Sequence, residues 1–116
     1  MKRILFFIIV FTIFILCSCD LLIQSDIKVI NNCNFTIRVT MTNQEDYSFK
    51  DSSNIPPGSS YTFMNLPYAE YRIDIHTIGS DVPSDAKKGL IRFWSISRDE
   101  TWTITWDEKN KYKISR

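Results

Sequence analysis

His76 is the single histidine of the chain, and it lies two residues after the carboxylate of Asp74. Apolar and polar side chains alternate over residues 71–76, so Asp74 and His76 project from the same face of a predicted strand. An imidazole beside a carboxylate could transfer a proton or supply two ligands to a metal ion. Two residues complete neither site, and we therefore expect both to be solvated polar positions.

The other residue types that carry chemistry lack the spacing that known sites require. No serine lies in a Gly-x-Ser-x-Gly turn, and no Cys-x-x-Cys pair is present. The carboxylates of Asp81, Asp85 and Asp99 do not have the spacing of a calcium-binding loop. We therefore expect no catalytic residue, no metal site and no cofactor.

Three tryptophans are the candidate ligand-binding residues: Trp94, Trp102 and Trp106. Trp102 and Trp106 are four positions apart, so in a strand they share one face at a separation of about 13 Å, from a rise of ~3.3 Å per residue. Coplanar indoles on such a face could stack on sugar rings. Alternatively, Trp102, Ile104 and Trp106 form the inward face, with threonines outward. Core burial is favoured, because large aromatic side chains dominate core packing.

The first nineteen residues have the layout of a secretory signal. Lys2 and Arg3 give a basic start, and a nearly uninterrupted apolar run follows from Ile4 to Leu16. The run is shorter than the ~20 residues that a membrane-spanning helix needs. This favours a cleaved signal over an uncleaved transmembrane anchor.

The end of the run, Leu16-Cys17-Ser18-Cys19, resembles the lipobox of bacterial lipoproteins. Leu16 stands three positions before Cys19, and the small Ser18 directly precedes it; Cys17 departs from the usual Ala, Ser or Thr but is also small. The resemblance implies a signal peptide over residues 1–18, diacylglycerol on Cys19 and acylation of the new amino terminus. The protein would then be held in the bacterial cell envelope by three acyl chains, and two membrane-binding signals are enough for stable anchoring.

Asp20 directly follows the lipid cysteine, which resembles the inner-membrane retention signal of enterobacterial lipoproteins. Other bacterial groups do not follow that rule, so inner and outer membrane both remain open.

Removing residues 1–18 from the 116 leaves 98 residues, which is the length of one domain. Loss of Lys2 and Arg3 changes the formal net charge from +1 to −1. No basic excess remains to neutralise phosphates, so we expect no nucleic-acid partner. Cys33 is then the one cysteine besides Cys19, and we expect a buried thiol, because free cysteine is among the most buried residue types.

After a tether over residues 19–25, residues 26–116 have the pattern of an all-β domain. Strands are predicted at 27–30, 35–41, 61–64, 71–76, 90–96, 101–106 and 112–114, with a short edge strand near Tyr47 and Phe49. The segment 79–89 is predicted to be an exposed loop. Seven to eight short strands with frequent turns indicate a small antiparallel β-sandwich after the N-terminal signal helix, with a small barrel as the alternative.

A local pattern supports the sandwich. Ile55-Pro56-Pro57-Gly58-Ser59, followed by Leu66-Pro67 and Tyr71-Arg72-Ile73, resembles the strand-turn-strand pattern of transthyretin-like and immunoglobulin-like bacterial surface modules. The resemblance covers about twenty residues and implies a β-sandwich.

Three functions are compatible with these features. The first is a non-enzymatic envelope lipoprotein whose sandwich binds a protein or another envelope component. The second is a carbohydrate-binding module that uses the three tryptophans, and the third is an enzyme with a site assembled from scattered residues. The first is favoured because no catalytic set is present.

The lipobox generates a direct prediction. Cys19→Ala should abolish incorporation of labelled palmitate and leave an unprocessed precursor, because the thioether has no other sulfur at the cleavage site. Cys33→Ala, the matched control, should be labelled like the natural protein. Unchanged labelling of the Cys19 variant would contradict the assignment.

Overall fold

The structure, a computed structural model, describes residues 23–116, so the predicted signal peptide and the predicted lipid site at Cys19 lie outside the described residues. Eight strands and one short 3-10 turn form the domain. The strands are β1 (Gln24–Asn31), β2 (Thr36–Asn43), β3 (Lys50–Ile55), β4 (Ser60–Pro67), β5 (Ala69–Ile78), β6 (Leu90–Ile96), β7 (Glu100–Asp107) and β8 (Lys111–Ser115). Over residues 23–116, no helix is long and apolar enough to cross a membrane.

The strands form two four-stranded sheets that pack face to face. The first sheet has the order β4-β1-β7-β8, and the second has the order β3-β2-β5-β6. All neighbours are antiparallel except β1 and β7, which run parallel because the chain crosses to the second sheet between them. The predicted all-β sandwich is thus confirmed, and it has eight strands. The prediction of a purely antiparallel arrangement did not include the parallel pair of β1 and β7.

The core lies between the sheets and follows the predicted alternation. In β2, Ile37, Val39 and Met41 are buried, and in β5 Tyr71 and Ile73 are buried with them. Side chains alternate across a strand, so the residues between them reach the outer face of the second sheet. The register joins Val39 to Ile75 and Met41 to Ile73, which brings the apolar halves of β2 and β5 side by side.

Two loop predictions differ from the structure. The edge strand is β3, which begins after Phe49, and Tyr47 lies in the preceding turn with 71% of its surface exposed. The segment 79–89 is not wholly exposed, because it contains the 3-10 turn Ala86–Lys88 with Ala86 fully buried. The Tyr112 hydroxyl donates a 2.9 Å hydrogen bond to the Ala86 carbonyl and fixes this turn on the core.

Strand directions divide the connections between two ends of the sandwich. The end at which β1 begins, here called the N-terminal end, also carries loops 44–49 and 97–99, Tyr68 and the chain terminus at Arg116. The opposite end, here called the distal end, carries loops 32–35, 56–59, 79–89 and 108–110. β1 begins at Gln24, so the first strand includes the last two residues of the predicted tether of residues 19–25.

The buried side chain of Asn31 closes the distal end. Its Nδ2 donates to the carbonyls of Phe35 at 2.9 Å and Ile55 at 2.8 Å. Its Oδ1 accepts from the Cys33 amide at 2.8 Å. Buried backbone groups must find hydrogen-bond partners, and one carboxamide here serves three of them, two in the β1–β2 connection and one at the end of β3.

Replacement of Asn31 should therefore destabilise the whole domain. Asn31→Ala leaves three buried backbone groups without that partner, and each unsatisfied group costs about 1–3 kcal/mol. We expect a loss of ~3 kcal/mol or more in the free energy of unfolding, measured by denaturant titration. Asn32→Ala, an exposed neighbour of the same type, should change it by ~0.5 kcal/mol or less. Equal effects of the two substitutions would contradict this role.

Trp102 supplies the second stability prediction, because it is the largest fully buried side chain. Trp102→Ala should cost about 3–5 kcal/mol through lost burial and a cavity. Thr101→Ala, at the exposed neighbouring position of β7, should cost roughly 0.5 kcal/mol. Thermal unfolding of the two variants makes the comparison, and a mild Trp102→Ala would show that the indole is not in the core.

Candidate ligand-binding face

The three tryptophans do not form a common exposed platform. Trp102 is fully buried, and Trp94 meets it edge to face, with ring centroids 5.2 Å apart and an interplanar angle of 81°. Trp106 packs edge to face on Phe35 at 6.0 Å. Trp94, Trp102 and Trp106, the candidate ligand-binding residues, therefore form no single stacking surface, because Trp102 is fully buried and the other two are partly buried against the core.

The C-terminal arginine covers the remaining indole surface. The Arg116 guanidinium lies 4.5 Å from the ring centroid of Trp94, within the range of a cation–π contact. It also forms an ion pair with Glu100, with Nη2 2.7 Å from Oε2, and this hydrogen bond lowers the pKa of the Glu100 carboxyl. Trp94 is thus held by the protein's own cation.

Asp74 and His76 share the outer face of the second sheet, as the alternation predicted. The Arg72 Nε lies 3.1 Å from Asp74 Oδ2, and only 13% of the Asp74 side chain is exposed. His76 is exposed. Within residues 23–116, no group of three or more His, Cys, Asp or Glu side chains could hold a metal ion.

Strand register builds a wider polar surface around this pair. Arg38 lies between Asn54 and His76, and Thr40 lies between Ser52 and Asp74. The next row places Thr42 between Lys50 and Arg72, with Phe93 beyond it on β6. These side chains border a shallow depression of about 520 Å³, here called the sheet-2 depression, whose lining residues include Thr40, Thr42, Tyr47, Lys50, Arg72, Asp74, His76 and Phe93.

The charge at the sheet-2 depression is mostly positive. Arg72 is neutralised by Asp74, but Lys50 forms no ion pair with any carboxylate of residues 23–116. Arg38, one row above, uses its Nε to donate to the neutral Asn54 Oδ1 at 2.8 Å and keeps its charge uncompensated. Glu70 lies one row below Arg72 on the same face. Of these two cations without an ion pair among residues 23–116, Lys50 lines the depression and Arg38 lies beyond its lining on the same outer face of β2.

Two exposed aromatic rings complete this surface. Tyr47 is 71% exposed and Phe93 is 55% exposed, and both line the sheet-2 depression. Apolar rings of this size are normally buried, so two beside one polar depression mark it as a candidate interaction surface. Phe93 and Trp94 are adjacent in β6 and therefore project from opposite faces, but this alternation alone does not show that Phe93 reaches the row of Arg72 and Lys50.

Cys33 is a free, buried thiol, which confirms the prediction from cysteine usage. Its Sγ lies 3.6 Å from the Ile104 carbonyl, and burial raises the pKa of the thiol to about 11. The thiolate is the reactive form, so this cysteine is inert at neutral pH. It belongs to the core and not to a site.

Comparison with known proteins supports the fold but indicates no activity. No known protein family matches the chain, and no curated protein matches it. Its fold is similar to that of a protein from Eubacterium rectale solved by NMR, with a TM-score of 0.52 and 13% sequence identity. The similarity covers 80% of this chain and 87% of the other. At this level of identity, the likeness shows that the two proteins share a fold and shows nothing of their ligands.

Proposed function

We propose that the protein is a lipid-anchored, non-enzymatic binding protein of the bacterial cell envelope. Its sandwich binds a protein or another envelope component that presents carboxylate or phosphate groups to the sheet-2 depression. The lipobox supports the anchoring and the localisation. The observation that carries the binding function is the Lys50 cation beside two exposed aromatic rings in the depression, with Arg38 on the same outer face; neither cation has an ion pair among residues 23–116.

The chemistry of the sheet-2 depression suits an acidic partner. Lys50 offers three donors on a flexible stem, and Arg38 offers the guanidinium donors that its Nε contact to Asn54 leaves free. Hydrogen bonds from charged donors to carboxylate or phosphate are about twice as strong as neutral ones. Tyr47 and Phe93 add apolar surface for the uncharged part of the partner.

Catalysis has less support at the same surface. The single imidazole has one carboxylate nearby, and Arg72 already pairs with that carboxylate. Thr40, which pairs with Asp74 in the strand register, carries the hydroxyl that could act as a nucleophile. This hydroxyl lies 2.9 Å from the Ser52 hydroxyl, and Thr40 is only 9% exposed. A nucleophile, its base and an orienting group are not assembled there, which is the arrangement that covalent catalysis requires.

The second outer face provides a matched control. The first sheet exposes Lys28 on β1 and Lys113 on β8 among outward threonines such as Thr101. A double substitution there removes the same charge as a double substitution at the sheet-2 depression. Both pairs are exposed side chains, so neither change should unfold the domain.

The test compares these two double variants as full-length proteins purified from membranes in detergent. Binding is measured to the defined acidic polymers polyglutamate and polyphosphate and to solubilised envelope components. Arg38→Ala with Lys50→Ala should weaken binding at least ~10-fold, since hydrogen bonds to charged groups contribute about 1.5–3 kcal/mol each. Lys28→Ala with Lys113→Ala should leave binding within about twofold.

Salt gives an independent measurement in the same experiment. Exposed charges are screened at high ionic strength, so binding through the depression should weaken as salt rises. Equal losses in the two double variants, or binding that neither variant changes, would contradict the proposed surface.

A further inference from the structure

The proposed anchor is very close to the domain. Gln24, the first residue of β1, follows Cys19 by five positions. A fully extended chain spans at most ~3.3–3.6 Å per residue, so these positions reach about 18 Å or less. An eight-residue strand is itself about 26 Å long, at ~3.3 Å per residue. The tether is thus shorter than the sandwich that it holds, and the N-terminal end must stay near the bilayer.

Exposed apolar side chains concentrate at the same end. Ile23 is 46% exposed directly before β1, and Tyr68 is 44% exposed in the β4–β5 connection. Tyr68 follows Pro67, which pairs with Gln24 at the start of β1. Tyr47 lies in loop 44–49, which a 2.8 Å hydrogen bond from the Gln44 amide to the Glu70 carbonyl holds against the start of β5. Three large exposed hydrophobic side chains therefore lie at the end of the sandwich where β1 begins.

The distal end differs. Its loops at 32–35, 56–59, 79–89 and 108–110 present no large exposed apolar side chain in the part of the chain that the structure describes. Tyrosine is enriched where protein meets the membrane–water interface, because its ring is apolar and its hydroxyl is polar. The exposed hydrophobic side chains are therefore found at the end to which the proposed tether attaches. They come from three separate segments of the chain.

We infer that the N-terminal end of the sandwich is a membrane-contacting surface, with Ile23, Tyr47 and Tyr68 at the level of the lipid headgroups. The inference rests on the proposed lipid anchor at Cys19. The inference goes beyond the proposed anchor because it specifies which end of the domain contacts the bilayer. The sheet-2 depression then opens sideways from the membrane, with Tyr47 at its membrane-proximal rim, and the distal end points away from the bilayer.

Charges at the N-terminal end set the kind of lipid. Among residues 23–116, the Arg116 cation is paired with Glu100, and Arg98 and Lys50, the first residue of β3, are the other cations of this end. The carboxylates besides Glu100 are more numerous: Asp26, Glu45, Asp46 and Asp99. An acidic surface is repelled by anionic lipid within a Debye length, so the contact must come from the apolar side chains and favours zwitterionic headgroups.

The test uses the full-length lipidated protein in vesicles of phosphatidylcholine that contain nitroxide-labelled lipid. Tyr68→Cys and Tyr47→Cys, each in a Cys33→Ala background, carry an environment-sensitive fluorophore. Lys109→Cys places the same fluorophore in the distal loop 108–110. Nitroxide lipid should quench the first two labels several-fold more than the third. Adding phosphatidylglycerol should reduce this quenching at low salt and less so at high salt.

Labelled palmitate on the same preparations separates the outcomes. Palmitate on Cys19 with equal quenching at positions 68 and 109, or with no quenching at 68 and 47, would overturn the orientation and leave the proposed anchor intact. Absence of palmitate would overturn the proposed anchor itself. Stronger quenching at positions 68 and 47 in vesicles with phosphatidylglycerol would contradict the argument from charge.

Discussion

The carboxamide of Asn31 is the interaction on which the two-sheet arrangement depends. It lies where β1 ends, and it bonds the backbone of the β1–β2 connection and the end of β3. The Asn31 backbone adds bonds to Ser59 and Gly58 in the β3–β4 turn, and the Asn32 amide bonds Ile104 in β7. Strands of both sheets are thus joined at one fully buried residue. Hydrophobic burial is non-directional and favours packing of the two sheets, but it supplies no hydrogen-bond partners for these buried backbone groups.

The same alternation that fills the core creates the candidate binding face. In β2 and β5, every inward apolar residue is followed by an outward polar one, so a well-packed interior requires a polar exterior of fixed spacing. The register then decides which polar side chains become neighbours. Alternation within β5 already places Arg72 beside Asp74 in an ion pair. The register, in contrast, sets Lys50 opposite Thr42 and Arg38 opposite Asn54, so neither cation has an ion pair among residues 23–116. The cationic character of the depression is a consequence of pairing and not of an unusual composition.

The proposed anchor and the proposed binding face fit one geometry. A tether of about five residues limits the domain to the membrane surface, and strands run away from the point of attachment. Faces of the two sheets are then presented laterally, where a partner in the envelope can reach them. The fully buried Trp102, by contrast, belongs to the core, and the partly buried Trp94 is in cation–π contact with Arg116.

The sequence by itself determined the class of fold, because a period of two in apolar side chains is a local property. It located most strands, the inward faces of β2, β5 and β7, and the burial of Cys33. It also predicts the lipid anchor, which lies outside the described residues. Only the tertiary structure decided the rest: the parallel pairing of β1 with β7, the burial of Ala86 in a 3-10 turn, the packing of Trp94 on Trp102 and the meeting of Lys50, Arg72 and Phe93 in one row. These depend on which distant strands pair and in which register, and no local pattern contains that information.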